Sequence, residues 1–128
     1  MNPFEQAMTA VLEDLLRAGV PARGVRLTVR ELVVARIERG PLGAREITEA
    51  VEATVRAASH VVYELNAPDE MLDAVCRAAL DAVRGHGGTS ARWLDEATNT
   101  VSAVINELTR DRAEEPTWRW LAQRRAHW

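Results

Sequence analysis

The sequence predicts an all-α protein: a compact bundle of about five helices, followed by a short C-terminal helix rich in Trp and Arg. Three observations predict it. Apolar residues recur at alternating spacings of three and four over most of the chain, the period of a helix face rather than of a strand. Glycine and proline gather at Gly19-Val20-Pro21, Gly40-Pro41, Pro68, Gly85-His86-Gly87-Gly88 and Pro116, and the segments between these stops are nearly free of both. The 128 residues, 47% hydrophobic and 27% charged, suffice for one packed core without disulfides or a metal.

The first helix opens with Asn2 as cap, Pro3 at its first position and Glu5 closing a box-like pair. Phe4, Met8, Val11 and Leu15 form its stripe, widened by Ala7, Leu12 and Leu16, and Gly19 ends it. For the second helix, Thr28 and Glu31 read as a capping box and Leu27 with Leu32 as a hydrophobic staple, giving a short body to about Arg39. A rival reading exists in this stretch: Val25, Leu27 and Val29 alternate with Arg26, Thr28 and Arg30, the period of a strand. A lone strand has no partner in the chain, so helix is expected.

The third helix is expected over about 44–65, with Ile47, Val51, Thr54, Ala58, Val61 and Leu65 as a continuous seam. The fourth starts at Asn66-Ala67-Pro68, with Asp69 and Glu70 suited to the positive end of the helix dipole. Its polar face is narrow (Asp73, Arg77, Asp81, Arg84), so it is expected to be the most buried helix. The fifth begins near Thr89-Ser90 and carries Leu94, Ala97, Val101, Val104 and Leu108. Residues 1–115 are thus expected as the bundle and 116–128 as the Trp/Arg-rich tail, with Thr117 as its cap after Pro116.

Charge and composition narrow the function classes. The net charge is −3, and all 16 basic residues are arginine. Without lysine the chain itself supplies neither a Schiff-base nucleophile nor the lysine of a phosphate-binding P-loop. Cys76 is the single cysteine, so no internal disulfide forms. The start Met1-Asn2-Pro3-Phe4-Glu5 does not read as a signal peptide, and no run approaches the roughly 20 apolar residues of a membrane span. Together these features suggest a cytoplasmic setting.

Among candidate sites the tail stands out. Three of the four tryptophans fall within Trp118 to Trp128, beside Arg119, Arg124 and Arg125. Trp and Arg dominate binding hot spots, so Trp118, Trp120, Leu121, Arg124, Arg125 and Trp128 are expected as contact residues; the competing structural role is that the tail closes an apolar groove of its own bundle. A second candidate is the turn His86, Gly87, Gly88, Thr89 and Ser90, whose backbone N–H groups and hydroxyls at a helix start suit a small anion. Glu52, Arg56, His60 and Glu64 lie one turn apart, but lack the paired Glu-x-x-His pattern of bundle metal sites and read as an ion-pair ladder. Cys76 lies mid-helix among apolar neighbours, where a thiol is inert packing.

The stretch Gly40-Pro41-Leu42-Gly43-Ala44-Arg45-Glu46-Ile47-Thr48-Glu49-Ala50-Val51 resembles the middle helix of a helix-turn-helix module, which would imply a DNA-binding regulator. It covers barely a tenth of the chain, and Glu52-Ala53-Thr54-Val55 continues the seam where a turn belongs. Glu38, Glu46, Glu49 and Glu52 also offset the nearby arginines, so no basic face for phosphates emerges. The expected function is that of a non-catalytic interaction, adaptor or accessory protein, with no cofactor, docking on a protein partner or on itself as a homo-oligomer. The alternatives are an anion-binding bundle using the turn at 85–90, with or without enzymatic activity, and the DNA-binding regulator.

Overall fold

The structure is a computed structural model that describes residues 2–39, 44–85 and 91–111. These form five helices, α1 (Pro3–Arg17), α2 (Ala22–Glu38), α3 (Ala44–Leu65), α4 (Asp69–Gly85) and α5 (Ala91–Asp111), and no strand occurs among the described residues. The all-helical bundle expected from the apolar period is therefore the observed architecture. The Trp/Arg-rich segment 116–128 lies outside the described residues.

Local chemistry explains the helix ends. The Asn2 side chain accepts a hydrogen bond from the Glu5 N–H at 2.7 Å, satisfying one of the donors that the first turn of α1 leaves open. At the other end the Val20 N–H reaches the Leu15 carbonyl and the Gly19 N–H reaches that of Leu16, with Gly19 at φ +75°. This is a Schellman cap, and glycine occupies the left-handed position that a side chain disfavours. The end of α3 repeats the device with Asn66 at φ 50°: Ala67 donates to the Val62 carbonyl and Asn66 to that of Tyr63. Asn66 thus closes α3 instead of opening α4.

The start of α2 corrects the expectation. The helix begins at Ala22 behind Pro21, two turns ahead of Thr28, so Thr28 and Glu31 are interior residues and form no capping box. Val25, Val29, Val33 and Ile37 are all buried at a strict spacing of four. That row is the core stripe, and it settles the segment 25–30 as helix. Leu27, taken as half of a staple, is 53% exposed on the opposite side.

The core is built around α3, which contacts the other four helices, while α2 packs chiefly on α4 and α1 chiefly on α3. Phe4 lies near Glu49 and Ala50, and Leu12 and Leu16 near Ala58, Val61 and Val62, so α1 runs parallel to α3. Between Ala50 and Val62 only Glu52, Arg56 and His60 escape burial, and between Leu72 and Val83 only Asp73, Arg77 and Asp81 do. The narrow polar face expected of α4 is thus present, and α3 is enclosed to the same degree. Alanines make this possible: Ala53, Ala57 and Ala58 of α3 and Ala74, Ala78, Ala79 and Ala82 of α4 are buried, and small side chains let helix axes approach closely. In α5, Ala97, Val101, Val104 and the unforeseen Ile105 are buried, and Leu94 packs at the edge. The side chain of Leu108 is outside the described set.

In α1 the stripe centre is Met8 and Leu12, each 1% exposed, with Phe4, Leu15 and Leu16 packed at the margin. Ion pairs tie helices together, among them Arg26 of α2 to Asp81 of α4 at 2.6 Å and Arg56 of α3 to Glu107 of α5 at 2.9 Å.

Candidate functional site

Both sites singled out by the sequence, the turn His86 to Ser90 and the contact set Trp118, Trp120, Leu121, Arg124, Arg125 and Trp128, lie outside the described residues. The other sequence candidates can be placed. Glu52, Arg56, His60 and Glu64 occupy the narrow polar face of α3, where Arg56 binds Glu52 at 3.1 Å and also reaches Glu107. The Glu107 hydrogen bond leads in holding the Arg56 guanidinium more firmly protonated than usual; burial opposes it and Glu52 reinforces it. Of this row, Glu52 and Arg56 form an ion pair that extends to Glu107 of a second helix. Among the described residues, no group of three or more His, Cys, Asp or Glu is arranged to hold a metal ion.

Nucleophilic side chains in the core are committed elsewhere. Thr54 and Ser59, both buried, donate to the carbonyls of Ala50 and Val55 at 2.7 and 2.8 Å, satisfying hydroxyls that would otherwise be orphaned. Cys76 is fully buried, and burial pushes its thiol well above the ordinary range, with Asp73 adding and Arg77 opposing. A thiol in that state is packing material. The helix-turn-helix resemblance also meets a definite geometry, since α3 runs unbroken through Glu52-Ala53-Thr54-Val55.

The surface feature that the sequence did not reveal lies between α1 and α2. An open groove of about 130 Å³ runs between Phe4, Ala7 and Val11 on one side and Leu32, Ala35 and Arg39 on the other, with Met8 at its floor. Phe4 and Arg36 also border a second hollow of about 220 Å³, lined further by Asn2, Pro3, Glu49 and Ala50. The groove is smaller than the roughly 300–1,000 Å³ of small-molecule sites, and its size suits a few inserted side chains. Sequence periodicity could not find it, because Ala7 and Val11 fit the α1 stripe equally well as buried residues.

Electrostatics mark the same region. Among the described side chains, every arginine outside α2 and its cap has a carboxylate within 4.0 Å: Arg17, Arg45, Arg56, Arg77 and Arg84. Arg23, Arg30, Arg36 and Arg39 have none among the described residues. Among the described residues, the arginines without a carboxylate within 4.0 Å therefore lie on α2 and its cap. Arg36 and Arg39 stand at the rim of the groove. No helix among the described residues is long and apolar enough to cross a membrane. The chain matches no known protein family, no curated protein and no solved structure.

Proposed function

We propose that the chain is a non-catalytic interaction protein, an adaptor or accessory subunit that docks a helix or loop of a protein partner on the face formed by α1 and α2. One observation carries this reading: an apolar groove left open between two helices, with the guanidinium groups of Arg36 and Arg39, which meet no carboxylate within 4.0 Å among the described residues, at its rim. Apolar anchors in a groove with charged groups around them are the common anatomy of helix recognition. The tail residues Trp118, Trp120, Leu121, Arg124, Arg125 and Trp128 are proposed as a second contact, and a cytoplasmic setting suits the single free thiol.

The test uses substitutions at exposed positions of the groove. Ala7→Arg and Ala35→Arg fill it without touching the core, so thermal stability should stay within about 0.5 kcal/mol. Immobilised wild-type chain should capture a defined species from source-cell extract, and both variants should lose it. Equal capture by wild type and variants removes the groove from the reading. Deleting the residues after Glu115 tests the tail separately, and unchanged capture there removes the tail.

A further inference from the structure

We propose that the occupant of the α1–α2 groove is an acidic amphipathic helix, with apolar anchors along one face and carboxylates beside the anchor nearest Arg36 and Arg39. This rests on the docking reading above and names the chemistry of the partner.

The walls of the groove fix the anchors. They run from Phe4 to Val11 on α1 and from Leu32 to Arg39 on α2, each about two helical turns or roughly 10 Å. A helix laid along that length presents side chains at i, i+3 or i+4, and i+7. Ala7 and Ala35 are small and exposed, which leaves room for inserted side chains, and the flexible Met8 beneath adapts to their shape.

The arginines fix the charge. Arg36 and Arg39 lie three residues apart on the same side of α2, where like charges repel and an anion between them is favoured. Arg36 is half-buried, so solvent screens it less than a fully exposed cation. Glu49, which shares the second hollow with Arg36, is bonded to Arg45 at 3.1 Å. The segment 40–43 that follows Arg39 contains no acidic residue.

The charge is also placed along the groove. Arg36 borders the second hollow together with Phe4, so the basic rim lies at the Phe4 end, while the other end is walled by Val11 and Leu32. The carboxylates of the partner therefore belong beside one terminal anchor, and this asymmetry sets the direction in which the helix lies.

Three synthetic peptides of about five turns test the proposal, each with leucines at i, i+4 and i+7 and flanking positions that are all Glu, all Gln or all Lys. A staple on the outer face keeps all three helical. Fluorescence anisotropy with the full chain, up to about 1 mM protein and at about 20 mM salt, gives the dissociation constants. The net charge of the chain is −3, so attraction by overall charge favours the Lys peptide, whereas Arg36 and Arg39 at the groove favour the Glu peptide. The Glu peptide should bind at least about tenfold tighter than the Lys peptide, with the Gln peptide between them. Arg36→Gln combined with Arg39→Gln should bring the Glu and Lys peptides within about threefold of each other, and Arg36→Lys combined with Arg39→Lys should keep the order. Ala7→Arg should weaken the Gln peptide at least about tenfold by filling the groove. Circular dichroism should show all variants folded, since none of the altered side chains is buried.

A Lys peptide that binds as tightly as the Glu peptide, a Glu peptide that does not bind, or a preference that survives the double Gln variant overturns the proposal. If the Glu preference is absent while Ala7→Arg still weakens the Gln peptide, the acidic partner falls and docking in the groove stands. If Ala7→Arg leaves the Gln peptide unaffected, the groove is not the site and both readings fall.

Discussion

At the scale of single residues, Cys76 gives the sharpest handle. Its thiol is fully buried, and the folded protein holds it protonated far beyond the ordinary range. In the unfolded chain a cysteine loses its proton near pH 8.5. The folded value is therefore raised above the unfolded one, and the stabilisation is intact below about pH 8.5 and is lost as pH rises beyond it. The expected slope is about 1.4 kcal/mol per pH unit. No lysine is present to titrate in that window. Denaturant titrations at several alkaline pH values should show the decline, and Cys76→Ala should flatten it. In the native protein at neutral pH the thiol should react with Ellman's reagent only as fast as the core opens, and reaction at the rate of a free thiol would contradict the burial.

At the scale of helices, the ends are set by side chains that meet specific backbone needs. Asn66 sits at φ 50°, a conformation costing most L-residues about 1–2 kcal/mol but eased for asparagine by local hydrogen bonding. Asn66→Ala should lower stability by about 1 kcal/mol, whereas Asn66→Gly should change it by no more than about 0.5 kcal/mol; a harmless Asn66→Ala in thermal melts would refute the cap. Gly24 shows a different constraint. A Cβ there would come within 2.7 Å of Val20 Cγ1, and valine is stiff at χ1. Glycine in the first turns of α2 therefore allows the chain to turn closely from α1 into α2, although it lowers helix propensity.

At the scale of the whole molecule, the enclosure of α3 and α4 in the core rests on buried alanines, where larger side chains would force neighbouring helices apart. Ala78 is 0% exposed. Ala78→Leu should destabilise by about 1–3 kcal/mol through overpacking, while Ala10→Leu, on the exposed side of α1, should stay within about 0.5 kcal/mol. Comparable losses at both positions would show that the interface is not tightly packed. The Arg26–Asp81 pair adds a polar tie between α2 and α4, but Arg26 is 44% exposed, so solvent and salt limit its contribution.

The sequence by itself determined the helical class, the Asn2 and Gly19 signals, the span and seam of α3, and the narrow polar face of α4. Each of these depends on residues within a turn or two of one another, where period and cap chemistry act directly. Tertiary structure decided the rest. The start of α2 was misread because Thr28 and Glu31 match a cap and Val25, Leu27 and Val29 match a strand. Only packing on α4 shows that Val25, Val29, Val33 and Ile37 face inward while Leu27 faces out. The α1–α2 groove, and which arginines of α2 meet a carboxylate among the described residues, were illegible for the same reason. Whether an apolar side chain is core or surface, and whether a charge finds a partner, depends on what another helix brings near it, and one-dimensional spacing does not contain that distance. The fold class was therefore written in local periodicity, whereas the surface proposed for docking came from how α1 and α2 pack together.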